Sequence, residues 1–328
     1  MLKDEVLALL KESAGEVSGQ AMSERLGVSR AAVWKAMEAL RGEGYTISSA
    51  PSRGYRLEDS PDRLSPGELA GALRGRTLGR EIVCLDSVDS TNDECARRAL
   101  AGAGEGLVVL ADTQTGGKGR RGRSFESPAG EGLYLSVLLR PKCSLRELMW
   151  FTAWTAVAVC DGVEAACGVR PGIKWTNDLV LKGRKLCGIL TELGMEGESG
   201  ALQYAVAGIG INVGQKEFGS LAGPVAVSLR QALGRAPRRS EVAAAVLAAL
   251  DDMYRSFPRE KERYLERYRR DCLTLGRRVR VLGPDGEEEG FAEGIDEEFG
   301  LIVRYDDGRI RSVTSGEVSV RGLFGYAE

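Results

Sequence analysis

The chain contains no histidine. That absence removes Ser-His-Asp and Cys-His nucleophilic schemes together with the commonest metal ligand. Any chemistry must run on Lys, Arg, Asp, Glu and backbone groups, in a reaction that needs little proton abstraction by a neutral base. Seven cysteines form no Cys-x-x-Cys pair, which argues against a zinc cluster and for reduced thiols in a cytoplasmic location, with no protein metal site expected. The longest mostly apolar run, Leu148 to Cys160, is too short to span a bilayer, so no membrane association is expected. The opening residues Met1 to Glu5 turn acidic early and lack the basic-then-apolar pattern of a signal peptide. A net charge of −2 gives no whole-chain bias toward nucleic acid, so such a partner has to be argued from a local patch.

What is present divides the 328 residues into about two or three domains. Val6, Leu7, Leu9 and Leu10 carry a first helix; Ser18 can cap a second that runs to Leu26, Gly27 makes the turn, and Ser29 caps a third to about Arg41. Val33, Met37 and Leu40 form the buried stripe of that third helix, which leaves Arg30 and Lys35 off it. Two short extended segments around Pro51 to Gly54 complete a winged helix-turn-helix over residues 1–60. Met1 to Asp59 holds eight Lys/Arg against nine Asp/Glu, yet Ser29 to Leu57 is net +3, on the third helix and the wing. Ser29, Arg30, Lys35 and Arg53 are therefore the candidate DNA contacts, with the helix in the major groove and the wing on the backbone; a winged helix used only for protein contacts is the alternative.

A second domain is expected over 65–272. Ser65-Pro66 opens a helix, with Glu68 placed three after the cap, and strand and helix signals then alternate in a mixed α/β pattern. Ser144 to Glu147 reads as a capping box for a helix buried all round through Cys160, and a helix over Glu241 to Phe257 leads into a charged one ending near Arg270. From 275 to 328, short strands broken by Gly283 to Gly286 and Asp306 to Gly308 read as a small SH3-like β-barrel, giving an α+β protein overall.

The middle domain holds five short motifs. Thr113 to Phe125 gathers Lys118, Arg120, Arg121 and Arg123 with Gly116, Gly117, Gly119 and Gly122 and contains no acid. By itself it is equally a clamp for a phosphate or a generic basic surface. Ser90-Thr91-Asn92 opens a helix, and Glu94 could complete a capping box from Thr91. Lys174 to Asp178 places a cation and an acid four apart around a turn, and Lys185 begins an apolar strand that continues through Gly188. Gly208 and Gly210 would let a flat ligand approach the strand ending at Asn212.

In this order and spacing, the five motifs with the winged helix resemble the biotin-protein ligases, in the bifunctional class that also serves as biotin operon repressor. The resemblance implies ATP-dependent formation of biotinyl-5′-AMP, with Mg²⁺, and transfer of biotin to a lysine of a biotin carboxyl carrier domain. It also implies a homodimer on operator DNA of biotin genes when biotinyl-AMP is bound. A carboxylate with a pKa of about 4.3 is already a nucleophile at neutral pH, which accommodates the missing histidine. Residue by residue, the resemblance puts Ser90, Thr91, Asn92 and Gln114 around the biotin ring, with Gly117, Gly188, Gly208 and Gly210 lining it. It folds Lys118, Gly119 and Arg120 over the adenylate, bridges carboxylate and α-phosphate with Lys185, and sets Asn212 at the nucleotide. Asp178 is either a Mg²⁺ or amine-orienting group or a structural turn residue. Lys118 stands where some family members carry arginine, and Gly214 to Ala226 holds no Trp to stack on adenine, which leaves only Phe218. A biotin-sensing repressor without ligase activity and a lipoate-protein ligase-like enzyme are the alternatives.

Overall fold

The computed structural model describes residues 1–13, 15–50, 53–197, 200–219, 225–283, 286–314 and 317–320. Helices α1 (Leu2–Glu12), α2 (Gly19–Leu26) and α3 (Arg30–Gly42) enclose Val6, Met22, Val33, Met37 and Leu40, and the hairpin β1 (Thr46–Ala50) and β2 (Gly54–Asp59) closes the unit. The caps fall where the sequence puts them: Ser18 accepts from the Ala21 amide, Ser29 from that of Ala32, and Gly27 turns at φ 66°. Pro51 and Ser52 of the wing lie outside the described residues.

This winged unit is bound to the next helix, α4 (Pro66–Leu73), through α1. Ser65 caps α4 as expected, but the Glu68 carboxylate turns to Lys11 of α1 instead of closing a capping box. Buried Arg239 adds a second tie. It donates to Asp62 of the connecting segment at 3.0 Å and to Asp112 at 2.7 Å, so a charge that would be costly to bury alone is paired twice.

The middle of the chain runs β3 (Glu81–Val88), α5 (Thr91–Leu100), β4 (Leu107–Gln114), β5 (Gly132–Leu139), α6 (Leu145–Leu148), α7 (Phe151–Cys167), β6 (Gly172–Lys174), β7 (Asp178–Leu181), β8 (Arg184–Met195) and β9 (Leu202–Asn212). It continues through α8 (Leu229–Leu233), α9 (Arg239–Ser256) and α10 (Lys261–Asp271). Seven strands form one sheet in the order β3-β4-β5-β9-β8-β7-β6, parallel at β3–β4 and antiparallel elsewhere. Both faces of the sheet are covered. Leu107, Val109, Leu138 and Val206 meet Cys95 and Ala99 of α5, while Val108, Leu110, Ile209 and Ile211 face the large core containing α7 and α9. Burial on both faces explains why β5 is apolar nearly throughout.

Three boundaries depart from the sequence reading. The Ser144 capping box is present, but its helix stops at Leu148 and α7 is a separate helix. α9 ends at Ser256, before Phe257-Pro258, because proline supplies no amide to continue the ladder. The third departure concerns the last strands, β10 (Arg278–Gly283), β11 (Gly286–Ile295), β12 (Leu301–Tyr305), β13 (Ile310–Val313) and β14 (Glu317–Val320). They make an open antiparallel sheet in the order β13-β12-β11-β10-β14, not the expected closed barrel, since the end strands share no pairing among the described residues. The inner residues Val279, Ala292, Leu301 and Val303 join the same core as Trp150 and Trp175. The core of the middle domain thus covers the face that a barrel would cover with its own opposite wall.

Candidate active site

Alternation along the strands builds the floor of the site. In β8 and β9, Cys187, Ile189, Ile209 and Ile211 point into the core, so Gly188, Gly208 and Gly210 fall on the opposite face, where α5 packs. Gly188 pairs with Gly210, and Leu190 with Gly208. Three glycines on neighbouring strands leave a shallow platform with no Cβ atoms. A Cβ on Gly210 would come within 2.7 Å of the Phe125 ring, and one on Gly208 would overlap Asn92 Oδ1.

One end of the platform is polar and uncharged. Gln114 Oε1 accepts from the Thr91 amide at 2.8 Å and lies 3.1 Å from its hydroxyl, while Gln114 Nε2 donates to Ser127 Oγ at 2.8 Å. The expected capping box from Thr91 to Glu94 does not form. Ser90 is the N-cap residue of α5, without a side-chain cap bond, and Glu94 pairs with Arg97 and Arg98. The Thr91 hydroxyl is thereby turned toward the platform instead of being spent on the helix end.

The other end carries charge. A bulge where Leu179 pairs with Cys187 but Val180 pairs with Lys185 inserts one residue into β8. It swings Lys185 onto the glycine face, where its Nζ would lie 3.4 Å from a Cβ on Gly188. Lys185 Nζ is 2.8 Å from Asp178 Oδ1, which places Asp178 behind the lysine and outside the lining of the cleft. Cys187, on the same strand, is fully buried, and burial pushes its thiol far above the ordinary range, so it stays protonated and inert.

Over this floor lies the basic loop, folded into a small hairpin. Phe125 N donates to Gly117 O at 2.8 Å and Gly119 N to Arg123 O at 2.7 Å, with Arg121 and Gly122 at positive φ in the tip. Lys118 pairs with Asp93 of α5, and that hydrogen bond raises the ammonium's pKa. Arg120 Nη1 donates to Asn177 Oδ1 at 3.0 Å, which carries the loop across the cleft to the Lys174–Asp178 turn.

Ser90, Thr91, Asn92, Gln114, Lys118, Gly119, Arg120, Lys185, Gly188, Gly208 and Gly210 all line one cleft. Gly117 and Asn212 do not. Gly117 lets the loop pass close to Ser127 and Gln114, and the Asn212 amide is 3.4 Å from the backbone carbonyl of Lys185. Phe125 and Asn177 also line the cleft and were not singled out as site residues from sequence; each lies within a motif, Thr113 to Phe125 and Lys174 to Asp178, which is the signal that could have found them. Phe218 is half-buried, and residues 220–224 of its loop lie outside the described residues. No group of three or more Cys, Asp or Glu side chains able to hold a metal occurs among the described residues. Nor is any helix among them long and apolar enough to cross a membrane.

On the winged unit, Ser29, Arg30, Lys35 and Arg53 are all exposed. Trp34 stands with them at 53% exposure, which a reading of charge alone overlooks. Arg41 is drawn away to Glu38 and the Ile47 carbonyl.

Comparison with known proteins matches three segments of the chain. Residues 84–212 match the biotin/lipoate A/B protein ligase family, 3–56 an HTH domain, and 274–321 the biotin protein ligase C terminal domain. The chain is 35% identical over 326 residues to the bifunctional ligase/repressor BirA of Bacillus subtilis (strain 168), covering 97% of this chain and 98% of that protein. To its namesake from Escherichia coli (strain K12) it is 31% identical, covering 93% and 92% respectively. Among solved structures, the biotin protein ligase from Aquifex aeolicus in complex with biotin and ATP superposes with a TM-score of 0.64 at 31% identity, over 74% of this chain and 99% of that one. With a ligase fold, a glycine-floored cleft and an N-terminal DNA-binding unit in one chain, this protein belongs to the bifunctional ligase/repressor class of the biotin-protein ligase family.

Proposed function

We propose that the cleft joins biotin to ATP and then passes biotin to a protein lysine, and that the winged unit turns the ligand-loaded chain into a repressor of biotin genes. The observation that carries this reading is the polarity of the cleft. Neutral hydrogen-bonding groups at Thr91 and Gln114 stand at one end of an apolar glycine floor, and Lys185 stands at the other. That arrangement suits a flat, ureido-headed molecule with a carboxylate tail.

In the first step a biotin carboxylate oxygen attacks the α-phosphorus of ATP and pyrophosphate leaves. Two anions have to be held together against their repulsion, which is work for Lys185 between them and for Lys118 and Arg120 above. Mg²⁺ arriving with ATP supplies charge neutralisation for the leaving pyrophosphate. Asp178 is paired with Lys185 and does not line the cleft, so such an ion would be held by the ATP phosphates, with Asp178 supporting it only from behind the lysine. In the second step the carrier lysine's amine attacks the carbonyl carbon of biotinyl-5′-AMP and AMP leaves. Arg120, anchored on Asn177, keeps the lid closed over the labile anhydride until then.

Biotin-dependent exchange of pyrophosphate into ATP tests the reading; exchange driven by lipoate instead overturns the choice of substrate. The finer assignments belong to the same proposal: a biotin carboxyl carrier domain as acceptor, homodimerisation on binding biotinyl-AMP, operator DNA as partner, and a cytoplasmic location for a chain whose seven cysteines are all free.

A further inference from the structure

Helix α3 carries two stripes. Val33, Ala36, Met37 and Leu40 are buried in the core of the winged unit. Ala31, Trp34, Lys35 and Glu38 repeat the same spacing on the opposite side, and all are exposed. Trp34 stands out on this outer stripe. Its surface is 53% exposed, and among the described residues its ring stacks on no aromatic side chain and its indole N–H meets no acceptor.

A single exposed apolar side chain is ordinary on a protein surface, but the surroundings of this one are not neutral. Arg30 lies one turn before it and Lys35 beside it, both exposed and neither in an ion pair among the described residues. Glu38, the acid on the stripe, is held by Arg41, which in turn is fastened to the Ile47 carbonyl. An apolar ring is thus presented between two available cations, at the start of the helix that a helix-turn-helix lays in the major groove.

The base edges in that groove narrow what the ring can read. Guanine, adenine and cytosine present hydrogen-bonding groups there, and thymine adds the one apolar group, its 5-methyl. An indole face set over the polar edges would take water from them and return no hydrogen bond. Over thymine it buries a methyl group.

We propose that Trp34 reads one thymine for each bound winged unit by packing its indole ring on the 5-methyl group, with Arg30 and Lys35 fixing α3 on the flanking phosphates. The inference rests on the reading of the winged unit as an operator-binding unit, and adds the base it selects. Ala31, one turn before Trp34 on the same stripe, is small enough to let the helix approach the groove floor.

The probe is a duplex enriched from a random pool by the full chain loaded with biotin and ATP. Each thymine in it is replaced in turn by deoxyuridine, which lacks only the methyl group, and Kd is measured by anisotropy for the parent, Trp34→Ala and Trp34→Phe, with circular dichroism as the folding control. At one thymine per winged unit the replacement should weaken the parent about fourfold, the worth of one buried methyl, and leave Trp34→Ala unaffected. Trp34→Phe keeps an apolar ring without the N–H and should retain most of the sensitivity. If the parent and Trp34→Ala respond alike to every deoxyuridine, the base readout is overturned, even where Trp34→Ala binds all duplexes more weakly. A Trp34→Phe as insensitive as Trp34→Ala would assign the contact to the N–H and overturn it as well. Trp34→Ala binding like the parent while Arg30→Ala and Lys35→Ala bind weakly sinks this inference alone and leaves the operator reading standing. Failure of the parent to enrich any duplex removes the operator reading, and the inference with it, and turns the stripe toward a protein partner.

Discussion

Lys185 and Asp178 meet across the β7–β8 hairpin, Nζ to Oδ1 2.8 Å, although the register pairs Asp178 with Gly188 and Lys185 with Val180. The bulge at Leu186 makes this possible by giving Lys185 the same face as Gly188. The cation assigned to the reacting carboxylate and phosphate is thus supported from behind by an acid that does not itself line the cleft.

Lys185→Met should cut biotin-dependent pyrophosphate exchange by about 10²- to 10³-fold, the range for loss of one preorganised electrostatic contact. The fold should persist, because the lost pair is part-exposed and such pairs contribute about 0–1 kcal/mol. Exchange kinetics with circular dichroism as a folding control decide it. Turnover close to that of the parent would remove Lys185 from the catalytic machinery.

Glycines of the platform should differ in their tolerance of a methyl group. A Cβ on Gly208 overlaps Asn92 Oδ1, whereas one on Gly188 meets the flexible end of Lys185 at 3.4 Å and the Phe125 ring at 3.6 Å, both ordinary contacts. Gly208→Ala is expected to lower stability by about 1–3 kcal/mol and to abolish biotin binding. Gly188→Ala should leave the unfolding midpoint almost unchanged. Urea denaturation with biotin titration calorimetry on both variants separates them; equal midpoints would contradict the packing described.

Lys35→Ala and Arg30→Ala should weaken operator binding without altering ligase turnover, since both side chains are exposed on α3, away from the cleft. If each neutralises one phosphate, the slope of log Kobs against log salt should fall in magnitude by about 0.9 per substitution. Filter binding or anisotropy across a salt series measures this. Trp34→Ala, which removes no charge, should weaken binding while leaving the slope unchanged.

Asp271 sets a pH dependence of stability. Burial raises its pKa, but hydrogen bonds from Arg270 and Arg170 outweigh that and hold the carboxyl below its ordinary range. A carboxyl whose folded pKa is depressed contributes stability above its unfolded pKa of about 3.9, and that contribution is lost as pH falls through the folded value. Asp271→Asn should therefore be less stable than the parent at pH 7, with the gap closing toward pH 2. Urea midpoints over that range provide the check, and a gap that stays constant would show that Asp271 acts through packing alone.

The winged helix could be read from sequence because its signals are local. Ser18, Gly27 and Ser29 cap and turn within a few residues, and the Val33, Met37 and Leu40 stripe needs only the helical period. The motifs of the cleft were legible as motifs for the same reason. Their chain order and residue types survive in one dimension, so Thr91, Gln114, Lys185 and the glycines could be named before any geometry.

Whatever depended on partners far along the chain was decided by tertiary structure. Local spacing offered Glu94 as a capping partner for Thr91 and Glu68 for Ser65, but Arg98 and Lys11 hold those acids, and packing alone brings Lys11 to Glu68. The last five strands have the strand pattern of a barrel, yet they stay open because Trp150 and Trp175 share their core. By itself the sequence named most of the groups that line the cleft, though not Phe125 or Asn177, and determined that histidine would not be among them. Only the folded chain decided which way each group points: the bulge at Leu186 aims Lys185, and the Gln114 side-chain oxygen takes the proton of the Thr91 hydroxyl. A hydrogen bond's direction depends on every donor and acceptor around it, and no spacing along the chain records that.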